Sequence, residues 1–129
     1  MKRNMDLIRE LLLKLEGMPI APGAVMHLRS YDDEMKMSGY EDAEVEYHLN
    51  LIVEAGLIDT GGLRAMEGIG FRALTWAGHD FVDSIRNPEV WAKTKQGALA
   101  AGGFTMDLLK DLAKGLLKKL IEDKTGVKL

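Results

Sequence analysis

The sequence predicts an α+β fold, mostly helical, in which a small β-hairpin lies between two helices. An amphipathic helix over 41–55 stops at Gly56, and an apolar strand begins directly after it at Leu57. Residues 71–74 alternate as in a half-buried strand and lead into Thr75, a residue suited to cap a further helix. Helix, hairpin and capped helix in this order are typical of a winged-helix domain.

The segment before this unit predicts one regular helix and little other regular structure. Residues 4–16 carry apolar side chains at helical spacing, with Asn4 as the cap and Gly17 after the last turn. Residues 24–31 favour a short strand. A DNA-reading helix-turn-helix needs a supporting helix shortly before its recognition helix, but acidic residues and a glycine interrupt any apolar period over 26–40. We therefore expect that helix to be missing or shortened to a turn.

Two helices are predicted after the hairpin unit. The first, over about 88–99, begins with an Asn-Pro pair that supplies a cap and a first helical residue, and Gly102 follows its end. The second, over about 105–122, has the most regular apolar period in the chain. We predict two parts, a winged-helix-like domain at 1–87 and a helical extension at 88–129.

No residue pattern in the sequence encodes catalysis or a cofactor site. The absence of cysteine excludes a disulfide scaffold and a cysteine-based metal site. His27, His48 and His79 are too widely spaced for a metal motif, so each is expected to be structural or exposed. A zinc site remains an alternative only if the fold brings two of them together with Glu or Asp. Glycines 68 and 70 lack the spacing of a phosphate-binding loop. We expect no enzyme activity, no cofactor and no metal.

The hydropathy pattern predicts a cytoplasmic protein without a membrane span. The longest apolar runs are far shorter than the roughly 20 residues that cross a bilayer. Lys2 and Arg3 are followed by an amphipathic helix containing Asp6 and Glu10, whereas a secretory signal has an apolar core at that place.

The charge distribution disfavours DNA binding by the helix over 41–55. The net charge is −3, but residues 1–60 contain 6 Lys and Arg against 12 Asp and Glu, while 61–129 contain 11 against 8. Phosphate neutralisation dominates affinity for DNA, so four acids at the start of this helix would be repelled by the duplex. They form a candidate acidic face for a protein partner: Glu41, Asp42, Glu44 and Glu46. The candidate nucleic-acid contacts are Arg64, Arg72, Lys110, Lys114 and Lys118.

The last helix carries an apolar stripe that is wide for a chain of this size. The candidate oligomer or docking interface consists of Leu108, Leu109, Leu112, Leu116, Leu117, Leu120 and Ile121. Three alternatives remain open for it: packing on the winged-helix-like domain, self-association as a homodimer or larger assembly, or binding to an anionic membrane or nucleic acid through its lysines.

Several segments resemble short bacterial and prophage proteins of a domain-of-unknown-function family. The resemblance runs through residues 1–12, 47–58 and 74–81, together with Trp91 and the break at 102–105 before the leucine-rich helix. The phrase LTWAGHDF is the specific part, whereas the AGLI turn is shared with many winged-helix repressors. The resemblance implies a winged-helix-like fold, a setting in mobile or phage-derived DNA, and a role in regulation or phage–host defence interplay.

These observations together predict a non-enzymatic, oligomeric module that binds another protein. The alternative is a DNA-binding transcriptional regulator of the winged-helix type.

Overall fold

The structure, a computed structural model, describes residues 1–100, 102–103 and 105–129. Over these residues the chain is mostly helical with small antiparallel two-stranded sheets, so the predicted α+β class is confirmed. The helices are α1 Met5–Glu16, α2 Asp42–Glu54, α3 Trp76–Ile85, α4 Pro88–Ala100 and α5 Met106–Thr125. The strands are β1 Met26–Leu28, β2 Ile58–Asp59, β3 Ile69–Phe71 and β4 Ala73–Leu74.

The chain divides into two compact units, Met1–His79 and Asp80–Leu129. The division falls inside α3. The domain boundary predicted between 87 and 88 stays a prediction.

Helix α1 supplies much of the core of the first unit and begins at the predicted cap. The Asn4 side chain accepts hydrogen bonds from the backbone N–H groups of Asp6 and Leu7 at 3.0 and 3.3 Å. This satisfies two of the donors that a helix start leaves without partners. The apolar side chains at helical spacing are buried, namely Leu7, Ile8, Leu11, Leu12 and Leu15.

His48 joins the start of α1 to α2 and is completely buried. Its Nε2 accepts a hydrogen bond from Asn4 N at 2.8 Å, and its Nδ1 donates to Glu44 O at 2.7 Å. An amide N–H can only donate and a carbonyl can only accept, so the ring is neutral with its proton on Nδ1. Neither ring nitrogen is available to a metal ion, which supports the structural interpretation of this histidine.

The strands pair in two antiparallel ladders. Strand β1 pairs with β3 and β2 pairs with β4, with His27 opposite Gly70 and Ile58 opposite Leu74. Strand β1, at Met26–Leu28, covers only part of the strand predicted over 24–31.

Gly70 lies inside β3. A side chain on Gly70 would come within 2.6 Å of Leu63 Cβ, because the hairpin loop folds over the strand at this point. Gly68 does form the end of the loop, with φ of 74°.

A single 3-10 turn, Asp33–Met35, lies between β1 and α2. Its Met35 side chain is fully buried, so one turn is enough to fix this part of the chain on the core. Residues 26–40 contain this turn and no α-helix, in line with the expectation that a helix there is missing or shortened.

The AGLI turn and the LTWAGHDF segment meet in the structure. Thr75 N donates to Leu57 O at 3.0 Å and the Thr75 hydroxyl donates to Gly56 O at 2.6 Å. That hydroxyl also accepts from Gly78 N at 3.0 Å, as the predicted cap of α3. A Cβ on Gly78 would overlap the Leu57 carbonyl oxygen, so only glycine permits this approach. The two segments thus have a structural reason to occur together.

The second unit contains an antiparallel pair of helices, α4 and α5. Asn87 caps α4 by accepting from Glu89 N at 2.8 Å, and Thr105 caps α5 by accepting from Leu108 N at 3.2 Å, as predicted. Gly97 near the end of α4 lies against Leu112 in the first half of α5. No helix in the described part of the chain is long and apolar enough to cross a membrane.

Candidate functional site

A groove of about 350 Å³ lies between the second half of α2 and the loop that joins β2 to β3. We call this the α2–loop groove. Its lining residues include Asn50 and Val53 from α2 and Leu63, Arg64 and Ala65 from the loop. This concave surface presents apolar and polar groups to a similar extent, and such a surface can accept the side chains of a binding partner.

The loop beside this groove is held in place by carboxylates of the chain itself. Glu46 accepts a hydrogen bond from Gly68 N at 2.6 Å, which ties the end of the loop to α2. Glu67 accepts from the Tyr31 hydroxyl at 2.7 Å, and this hydrogen bond raises the pKa of the Tyr31 phenol. These hydrogen bonds fix the end of the loop, which forms one wall of the groove, and α2 forms the other wall.

Arg72, a predicted nucleic-acid contact, is engaged inside the hairpin. Its guanidinium forms an ion pair with the Asp59 carboxylate, and Asp59 also accepts from Gly61 N at 2.8 Å. The hydrogen bond from Gly61 N, followed by that from Arg72, holds the pKa of Asp59 below its ordinary value. Binding of phosphate by Arg72 would have to replace this internal partner.

We predict that Asp59→Asn lowers stability at neutral pH and that the loss disappears in acid. A carboxylate whose pKa is lowered in the folded state stabilises the fold above its unfolded pKa, and that contribution is lost as the pH falls through the folded pKa. Urea unfolding followed by circular dichroism at a series of pH values measures this. The difference between the two proteins should shrink as the pH falls below 3.8, the ordinary value for this group. An unchanged difference at low pH would contradict the proposed role of the Asp59 charge.

Arg64 is the other predicted nucleic-acid contact of the first unit. It is exposed, lines the α2–loop groove and makes no ion pair with any residue that the structure describes. It is the only Lys or Arg between Lys36 and Arg72 in the sequence. The surface around it is consequently poor in the positive charge that DNA requires.

The four acids of the predicted acidic face have unequal roles. Glu41 and Asp42 are exposed, whereas Glu44 and Glu46 are half-buried. Asp42 lies 3.4 Å from the Lys36 ammonium, and Glu44 accepts from Glu41 N at 3.4 Å. Glu46 supports the loop rather than facing a partner.

Helix α2 exposes a stripe that the sequence interpretation did not single out. We define the outer face of α2 by its members Ala43, Tyr47, Asn50 and Glu54, which are exposed and recur at helical spacing. Neither Lys nor Arg occurs anywhere in α2.

Two exposed apolar residues of the loop, Leu63 and Met66, were also missed. Their sequence signal is an apolar pair inside a loop bounded by glycines, where polar residues are usual.

The candidate interface of α5 is only partly covered within the chain. Leu109 is fully buried, while Leu112, Leu116, Leu117 and Leu120 are half-buried and Leu108 and Ile121 are exposed. A shallow concavity of about 220 Å³ separates Val90 and Lys93 of α4 from Leu116 and Leu120 of α5. Lys110 is half-buried and Lys114 and Lys118 are exposed.

The candidate nucleic-acid residues fall into both units of the chain. Arg64 and Arg72 belong to the first unit, and the three candidate lysines belong to the second. Within the described residues, no group of three or more His, Asp or Glu side chains is placed to hold a metal ion.

Comparison with known proteins gives a family for the chain. The family model of the hypothetical proteins designated DUF2513 matches residues 2–104. The chain belongs to this family. A relative from Haemophilus influenzae, which carries the name "Uncharacterized protein", is 35% identical over 125 residues, covering 94% of this chain and 99% of the relative. No solved structure matches the chain.

Proposed function

We propose that this DUF2513 protein is a non-enzymatic, winged-helix-like module that binds another protein through the outer face of α2 and the α2–loop groove. The observation that carries the proposal is the charge of α2. This helix occupies the position of a recognition helix, directly before the hairpin, yet has no Lys or Arg. A surface of this charge is better suited to a protein with basic groups than to a phosphate backbone.

The winged-helix assignment rests on element order and strand pairing. Helix α1, strand β1, a short turn and α2 precede the hairpin, and the returning segment of the hairpin pairs with both β1 and β2. This order supports a winged helix in which the supporting helix is reduced to the turn Asp33–Met35.

The side chains on this surface favour a protein partner. Tyr47 is 37% exposed at the centre of the outer face, and Leu63 and Met66 add apolar surface beside the groove. Tyrosine is enriched among the residues that carry binding energy at protein interfaces. A partner with an apolar side chain for the groove and basic groups for the acids of α2 would complement this surface.

Recovery of partners from a host-cell lysate with the tagged, full-length chain tests the proposal. Because an interface tyrosine at the centre of a contact is worth about 2 kcal/mol or more, Tyr47→Ala should reduce the recovered partner about tenfold or more. Gln96→Ala, an exposed position on α4, is the matched control and should leave recovery unchanged. Equal recovery with both variants would overturn the assignment of the outer face.

The second candidate function is a DNA-binding regulator, which the position of Arg64 beside the hairpin favours. If it is correct, the full-length chain shifts duplex DNA in a salt-sensitive way, and Arg64→Ala, Arg72→Ala and Lys114→Ala weaken that shift. If these changes leave the shift untouched, the DNA proposal fails.

The biological setting is also proposed. The resemblance to prophage proteins supports a place in phage or mobile-element regulation or in interplay with host defence. The partly uncovered apolar stripe of α5 supports self-association as part of the same function.

A further inference from the structure

The two units of the chain carry charges of opposite sign. The unit Met1–His79 contains 8 Lys and Arg against 13 Asp and Glu, whereas Asp80–Leu129 contains 9 against 7. Their net charges are therefore −5 and +2. Two copies of such a chain attract each other when the acidic unit of one approaches the basic unit of the other.

The positive charge of the second unit is concentrated on one face of α5. Lys110, Lys114 and Lys118 recur every four residues and so lie on one side of the helix, which we call the lysine face. None of the three forms an ion pair with a described residue. Ile121, three residues beyond Lys118, adds an apolar side chain that is 40% exposed.

The lysine face is directed away from α4. Leu112 lies against Gly97 of α4, and Leu116 lines the concavity between the two helices. Each lysine is two residues from one of these leucines, a rotation of roughly 200° about the helix axis. Packing of α4 on α5 thus leaves Lys114, Lys118 and Ile121 exposed and Lys110 half-buried.

The first unit offers a complementary surface of similar length. The exposed Glu41 stands just before the start of α2 and Glu54 of the outer face stands at its end, while Asp42 is paired with Lys36. From Asp42 to Glu54 the helix runs roughly 18 Å, and the lysine face from Lys110 to Lys118 runs roughly 12 Å, at 1.5 Å per residue. Tyr47 lies between the acids and can meet the apolar residue of the other helix.

We propose that a second copy of this chain binds the outer face of α2 through the lysine face of its α5. The inference deepens the proposed interaction module, on which it rests, by naming the partner and the two surfaces. Reciprocal binding closes a two-fold dimer, whereas one-way binding continues into longer assemblies.

The test is the dissociation constant of the full-length chain by sedimentation equilibrium. Changing Lys110, Lys114 and Lys118 together to glutamate should weaken self-association about a hundredfold, since it places like charges opposite α2. The matched control changes Lys93, Lys119 and Lys128 to glutamate, an equal change in charge at exposed positions outside the lysine face, and should weaken association by no more than about threefold. Circular dichroism checks that both variants remain helical.

Two further results identify the opposing surface. Glu41→Lys and Glu54→Lys are added to the variant in which Lys110, Lys114 and Lys118 are glutamate. This combination should restore association, because the two surfaces have then exchanged the signs of their charges. For the unchanged chain, raising salt from about 50 mM to about 500 mM should weaken association about tenfold or more through screening.

Three outcomes would overturn the inference. The unchanged chain could be monomeric at about 100 μM, a concentration at which a dimer with a dissociation constant of about 1 μM is almost fully formed. The two lysine variants could have equal effects, or the charge exchange could fail to restore association. If the lysine variant instead loses binding to duplex DNA or anionic vesicles at unchanged mass, the lysine face serves an anionic polymer or surface and not a second copy. In all of these cases, reduced recovery of another protein by the Tyr47→Ala chain would still support the proposed function.

Discussion

Gly78→Ala is expected to destabilise the unit Met1–His79 by about 3 kcal/mol or more. The new methyl group would overlap the Leu57 carbonyl oxygen, and that oxygen is held by a hydrogen bond from Thr75 N at 3.0 Å. Neither backbone segment can withdraw without breaking this bond and the cap of α3. The higher helix propensity of alanine, worth about 1 kcal/mol, offsets only part of the cost. Urea unfolding followed by circular dichroism measures the change.

Gly17→Ala is the matched control in the same unit. Gly17 has φ of −80°, and an added Cβ would meet its nearest atoms at an ordinary 3.7 Å. It should therefore be neutral or stabilising by less than about 1 kcal/mol. A Gly78→Ala protein as stable as the Gly17→Ala protein would show that the close approach of α3 to Leu57 does not exist.

The second large effect is expected at His48. Replacing it with phenylalanine keeps a ring in the core but leaves Asn4 N–H without its acceptor and removes the hydrogen bond to Glu44 O. Loss of partners by a buried polar group predicts a destabilisation of about 2–3 kcal/mol.

The same unfolding measurement applies to His48→Phe, with His79→Phe as the control at an exposed position. The control should change stability by no more than about 0.5 kcal/mol. Equal stabilities of the two variants would contradict the buried hydrogen bonds of His48.

Local features of this chain were predictable from sequence because their causes are local. The caps Asn4, Thr75, Asn87 and Thr105 bind backbone groups two or three residues further along. The left-handed conformation of Gly56, with φ of 72°, likewise follows from its place directly after a helix. The order of helices and strands therefore followed from short stretches of sequence.

The features that build the candidate site depend on contacts between distant residues. His48 meets Asn4 across 44 residues, and Glu46 meets Gly68 across 22. No spacing rule distinguishes Glu46, which fixes the loop, from the exposed Asp42 four residues before it. The acidic face was thus predicted as a set, while the division of its members between support and exposure required the fold.

The most direct test of the proposed protein-binding surface is photo-crosslinking in cells from position 47. A diazirine-bearing residue replaces Tyr47 in the full-length chain, with the same residue at Gln96 as control, and the adducts are digested with protease or nuclease. We expect a specific adduct at position 47 whose mass nuclease leaves unchanged and in which mass spectrometry finds a crosslinked peptide, whether the captured protein is a second copy or another chain. A nuclease-sensitive adduct at position 47, or identical products from both positions, would contradict a protein-binding role for the outer face of α2.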